Sequence, residues 1–132
     1  MPPSLTPPGT WRTGGAVCLA LLLVAAGCGG RGYAPTNPAL ARQSLQTALD
    51  HWKAGGQPQE LAGRQPSIVM GDVDWEAGRR LVGYTILEGE RDDGANLHVP
   101  VRLVLADDAQ GEQELMVTYI VGTSPMVTIF RQ

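Results

Sequence analysis

The chain has 132 residues, 43% hydrophobic and 17% charged, a length and composition that suit one globular domain and exclude a second core. The formal net charge of -3 and a pI near 5.2 leave no basic surplus. The 10 Lys and Arg residues stand singly apart from Arg79-Arg80, which excludes nucleic acid as the expected partner.

Met1 to Gly15, "MPPSLTPPGTWRTGG", carries a single charge, Arg12, and four prolines that forbid regular helix, so it reads as a leader. Ala16 to Ala26, "AVCLALLLVAA", is uncharged and about half as long as the roughly 20 residues a permanent membrane-crossing helix needs. A basic residue, a short apolar core and small residues together match the tripartite secretory signal, here placed at 1–27.

"AAGC", Ala25 to Cys28, closes that apolar run and resembles the lipobox of bacterial lipoproteins, with Ala25 where the family more often has Leu. The resemblance implies diacylglycerol transfer to the Cys28 thiol, cleavage after Gly27, and a mature protein anchored through acyl chains such as palmitate in the cell envelope, facing the periplasm or exterior. Small side chains give a peptidase access to the scissile bond, and sulfur is the nucleophile that thioether formation requires. Cys18 leaves with the signal and Cys28 is consumed by lipid, so no free thiol or disulfide is left for an oxidising compartment to act on. The alternative is a buried apolar helix of a cytosolic protein, with Cys28 as a small hydrophobe. Residues 28–36 form a short tether that at ~3.4 Å per residue spans roughly 27 Å.

From residue 37 to 132 the pattern is that of an α+β domain. Asn37-Pro38 supplies an N-cap and a first-turn proline, and Ala41, Leu45, Ala48, Leu49 and Trp52 form one apolar stripe. The spacing predicts a helix to about Ala54, ended by Gly55-Gly56. A short helical turn is expected at 59–63 behind Pro58, an extended segment at Ser67 to Met70, and a turn at Glu76 to Gly78. Strands are expected at 80–90, 97–106, 113–121 and 126–131, joined by turns in "RDDGAN", "DDAQG" and "GTSP". Alternation at Leu97, Val99, Val101, Leu103 and Leu105, repeated at Leu115, Val117, Tyr119 and Val121, gives the sheet one face for the helix. The other face is mixed, with Met116, Thr118 and Ile120. Pro100 suggests an edge or a bulge.

One N-terminal helix packed on a curved antiparallel sheet of four to five strands resembles the cystatin-like roll, including the nuclear-transport-factor-like superfamily. The strings "ALARQSLQTALDHWKAG", "DWEAGRRLVGYTIL" and "VTYIVGTSPMVTIFR" are also similar to small uncharacterised bacterial lipoproteins. In such rolls a pocket between helix and sheet can hold acid or base side chains, and Trp52, Trp75, Tyr84, His98, Arg102 and Tyr119 are the candidates here, with His98 and Arg102 equally consistent with solvent.

Chemical motifs are sparse. The two histidines, His51 and His98, lack metal-ligand spacing, and His51 is expected to face solvent. Asp72, Asp74 and Glu76 lack the continuation of a calcium loop and read as a solvated loop, with Trp75 plugging one end of the roll and the acids pointing out. No catalytic residue, metal ligand or cofactor is nominated. The sequence points to a binding or scaffolding domain on a lipid anchor, with a protein partner or a homodimer expected at the outer sheet face. The alternative is a small-ligand carrier or enzyme with a pocket inside the roll.

Overall fold

A computed structural model describes residues 34–109 and 111–132, together with 3, 4 and 9. Apart from residues 3, 4 and 9, the segment expected as a signal lies outside the described residues, as do the expected lipobox with Cys28 and most of the expected tether. The chain divides into two compact units, Met1–Gly30 and Arg31–Gln132, and the α+β domain is the second of them.

The first element, α1, spans Pro38–Lys53. Asn37 caps it, its side-chain oxygen accepting from the Leu40 N–H at 3.1 Å, and Pro38 occupies a position whose missing donor costs nothing. Gly55 ends it with φ 88°, a backbone state that side chains with a Cβ rarely adopt. The apolar stripe is buried from Ala41 to Trp52 as expected, and Ser44 is buried with it. The helix lies inside the chain rather than at its N terminus.

A 3-10 turn at Pro58–Gly63 leads to β1, Ile68–Gly71, and then to a one-turn helix, α2, at Val73–Glu76. The remaining strands are β2 (Leu81–Ile86), β3 (Arg91–Asp92), β4 (Asn96–Asp107), β5 (Gly111–Gly122) and β6 (Val127–Arg131). The architecture is therefore α+β, but the sheet has six strands and is mixed. Its order is β1-β6-β5-β4-β2, with the short β3 also paired to β4.

The sheet overturns two expectations. It is not wholly antiparallel, because β1 pairs with β6 in parallel, Ile68 opposite Val127 and Met70 opposite Ile129. The rest of the sheet lies between them in sequence, supplying the long crossover that a parallel pair requires. The strand expected at 80–90 stops at Ile86, since Gly89 takes φ 97° and breaks it, and the chain re-enters the sheet as β3.

Pro100 sits in an interior strand, opposite Thr118 of β5. On its other side β4 passes from β2, whose last pair is Ile86 with Val101, to β3, whose first is Arg91 with His98. The Pro100 carbonyl accepts from the Leu87 N–H at 2.9 Å, so its missing donor points into that gap and disturbs no ladder.

One face of the sheet covers α1. Leu97, Val99, Val101, Leu103 and Leu105 of β4 meet Tyr119 and Val121 of β5, Ile129 of β6, and Leu45 and Leu49 of the helix, all essentially without solvent contact. Burying an apolar side chain of this size stabilises by about 1.5–3 kcal/mol, and the core extends across every long strand.

His51 does not face solvent as expected. Its ring is packed against Trp75, 6.2 Å between centroids, and lies over Gly56, where a Cβ would come within 2.2 Å of Nε2. Arg64 Nη2 donates to its Nδ1 at 3.3 Å. Gly56→Ala must therefore push the ring out of place. A loss of about 1–3 kcal/mol in urea unfolding is expected, the usual cost of overpacking a filled site.

Candidate functional site

The densest cluster of polar side chains lies where β1 turns into α2. Gly71 ends the strand, and Asp72 takes extended backbone angles that let its carboxylate reach forward over the helix start. Its Oδ1 accepts from the N–H groups of Asp74 and Trp75, at 2.9 and 3.1 Å, which is why four residues suffice to form a helical turn. Its Oδ2 accepts the Tyr119 hydroxyl at 2.6 Å. Arg131 Nη1, arriving from the end of β6, donates to Asp72 at 3.4 Å and also to Asp74.

The network continues outward. Arg79 Nη1 bonds the other oxygen of Asp74 at 3.0 Å, and its Nη2 reaches Gln113 on β5 at 2.7 Å. The Arg79 carbonyl accepts from the Trp52 indole at 2.8 Å, and the Trp75 indole donates to the Gly56 carbonyl at 2.9 Å. The two indoles stack with centroids 5.2 Å apart and planes 4° from parallel. Trp75 closes one end of the core as expected. The neighbouring acids do not all point out, however: Asp72 is 1% exposed, because its charge is met on every side by donors.

Burial and the facing Asp72 carboxylate push the Tyr119 hydroxyl far above its ordinary range, so it stays a neutral donor. Burial raises the Asp74 carboxyl, but hydrogen bonds and charge from Arg131 and Arg79 outweigh it and the net shift is downward. Each oxygen and each guanidinium in the cluster is engaged. What the arrangement does is join β1, α2, β5 and β6 at one corner.

The remaining nominated residues are dispersed. Tyr84 faces the helix, and its hydroxyl donates to Asp50 Oδ1 at 2.6 Å; burial and that carboxylate raise its pKa. His98 and Arg102 lie on the opposite face of β4. Arg102 is exposed and pairs with Glu114 at 3.2 Å. His98 Nε2 donates to Asp93 Oδ2 at 2.7 Å, leaving its buried Nδ1 without a partner. The structure thus brings Trp52, Trp75 and Tyr119 together through Asp72 and separates Tyr84, His98 and Arg102 from them. Tyr84 and Arg102 both line one open recess and Trp52 and Trp75 a smaller one of about 110 Å³, whereas none of the six lines the cleft of about 270 Å³ between α1 and the segment around Pro66, where Ser44, Arg64 and Ile68 contribute walls. Among the described residues no group of three or more His, Cys, Asp or Glu side chains is placed to hold a metal.

The hydrogen bond from His98, followed by the backbone N–H groups of Asn96 and Ala95, draws the Asp93 carboxyl down from 3.8 to about 2. Asp93 and Asp74 are both lower in the folded state, so the unfolded chain binds more protons as these carboxyls titrate. The stabilisation from Asp93 is present above pH 3.8 and is lost as pH falls toward about 2, and that from Asp74 is likewise lost as pH falls below 3.8. Urea unfolding across that range should show stability falling with pH, and Asp93→Asn should flatten the slope.

No helix or strand among the described residues covers the outer face of the sheet. Arg102 opposes Met116, His98 opposes Ile120, and Ile120 opposes Phe130 across neighbouring strands. Phe130 lies over Gly71, where a Cβ would approach its Cδ1 to 2.7 Å, yet it remains 48% exposed.

Comparison with protein-family models, with curated proteins and with solved structures finds no match for this chain.

Proposed function

We propose that this chain is a lipid-anchored cell-envelope protein whose α+β domain is a non-catalytic binding or scaffolding module. Its signal is residues 1–27, its lipid is carried on Cys28, and the domain faces the periplasm or exterior. The lipobox string at Ala25 to Cys28, placed directly after a short apolar run, carries the envelope reading.

The filled interior supports binding over catalysis. Tyr119, Leu103, Leu105 and Ile129 occupy the space between helix and sheet, and the polar groups nearest them are held by structural bonds. Exposed and half-buried apolar side chains on the outer sheet face, Met116 and Ile120 among them, are the surface a partner or a second copy would use. A single helix laid across one sheet face, with β4, β5 and β6 as an antiparallel meander, supports kinship with the cystatin-like roll, from which the parallel β1 departs.

Mass spectrometry of the mature protein tests the anchor. A diacylglyceryl group on an N-terminal Cys28 is the expected result, with Cys28→Ser leaving the membrane fraction. Membrane retention and processing of Cys28→Ser like the unaltered chain would overturn the reading.

A further inference from the structure

The point where the tether enters the domain lies at one end of the sheet. The Thr36 N–H donates to the Gly94 carbonyl at 3.2 Å, and the Asn37 N–H donates to Thr123 Oγ1 at 2.9 Å, so the chain is pinned to the β3–β4 and β5–β6 turns. The β4–β5 hairpin, Asp107 opposite Gly111, is at the other end. A strand of the length of Asn96–Asp107 separates the two ends by about 40 Å at ~3.3 Å per residue. The eight residues Gly29 to Thr36 that follow Cys28 reach at most roughly 27 Å, so a lipid on Cys28 holds the entry end nearest the bilayer.

That end is chemically two-sided. Toward β2 and β3 lie Glu88, Glu90, Asp92 and Asp93, accompanied among the described residues by Arg91 and by Arg42, which pairs with Glu90. Toward β1 and β6 the exposed side chains are apolar: Met126 at 48%, Val69 at 39% and Phe130 at 48%, with Val73 beyond at 68%. Val69 and Met126 stand at the starts of paired strands, since Ile68 opposes Val127.

We propose that the edge formed by β1 and β6, from Met126 to Phe130, rests against the lipid bilayer with the acidic β2–β3 side turned away. The proposal rests on Cys28 carrying lipid. An anionic lipid surface repels the acidic side, and apolar side chains along the other edge gain by leaving water. The anchor supplies the affinity, and the edge sets the orientation of the domain.

The acylated full chain, its lipid verified by mass, is reconstituted in vesicles of phosphatidylethanolamine and phosphatidylglycerol. It carries one nitroxide label at Met126→Cys, Phe130→Cys or Glu112→Cys, all exposed sites whose replacement leaves the core intact. The labels at 126 and 130 should be reached by oxygen several-fold more readily than by a water-soluble nickel chelate, and the label at 112 should show the reverse. Equal access of the nickel chelate to all three labels on acylated, vesicle-bound protein overturns the orientation and leaves the lipid reading standing. A mature chain whose mass shows no lipid on Cys28 overturns both. Shielding at 130 that disappears as lipid is added in excess over protein assigns the edge to a second copy and overturns the bilayer contact.

Discussion

Asp72→Ala is expected to lower the unfolding free energy of the domain by about 3–5 kcal/mol, measured by urea denaturation followed by circular dichroism. The magnitude follows from what the carboxylate meets. It caps α2 through two backbone N–H groups, accepts the Tyr119 hydroxyl, and lies 3.4 Å from Arg131. Losing the cap alone costs about 1 kcal/mol. The larger part comes from leaving a fully buried phenol without its acceptor and Arg131 with only Asp74. A domain of this size has roughly 5–15 kcal/mol in total, so the variant should be partly unfolded at moderate temperature. Tyr119→Phe removes only the donor and should cost about 1–3 kcal/mol. Combining it with Asp72→Ala, which removes the acceptor, should reveal a coupling between about 0.5 and 3 kcal/mol; additive effects would show that the 2.6 Å bond contributes nothing.

The elements that local chemistry determines are legible in the sequence. Asn37-Pro38 and the stripe from Ala41 to Trp52 define α1, and the alternation in β4 and β5 names the buried face residue by residue. What local chemistry does not determine stays hidden there. Nothing in the four residues of β1 selects β6 as a partner, because the choice depends on which sheet edge is left open after β2 to β6 have paired. Asp72 reads as one of three solvated acids because its partners come from positions 119 and 131, far along the chain. One signal does exist: Arg131 shares the inward parity of Val127 and Ile129, and a cation on an inward position requires a buried or half-buried acid. That parity points to the β1–α2 acids. Of the six nominated residues, the two indoles and Tyr119 belong to one corner, whereas His98 and Arg102 follow the strand parity that sets them opposite Leu97 to Leu105.

This division bears on function. The polar side chains of the Asp72 corner hold strands together, and the exposed apolar side chains Met116, Met126, Val69 and Phe130 lie on the outer sheet face and its β1–β6 edge. On the binding reading proposed above, the domain acts through its surfaces, and its fold must hold those surfaces rigid. The Asp72 corner and the tryptophan stack beside it are where β1, which carries half of that edge, is fastened.

Trp75→Ala should therefore cost as much as the loss of Asp72, about 3–5 kcal/mol, through a different mechanism. The indole is 3% exposed and stacked on Trp52, so truncation opens a cavity and strips one face of its neighbour. It also leaves the Gly56 carbonyl without the donor that ties the end of α1 to α2. Trp75→Phe keeps most of the ring contact and loses the N–H, so a cost of about 1–2 kcal/mol is expected, near that of a single buried hydrogen bond. In Trp75→Ala the emission of Trp52 should shift to the red as water reaches it. Because Asp72 caps the backbone N–H of Trp75, the two alanine substitutions damage the same turn. The double variant should lose less than the sum of the single losses, and strict additivity would mean that the polar corner and the aromatic plug stabilise the domain independently.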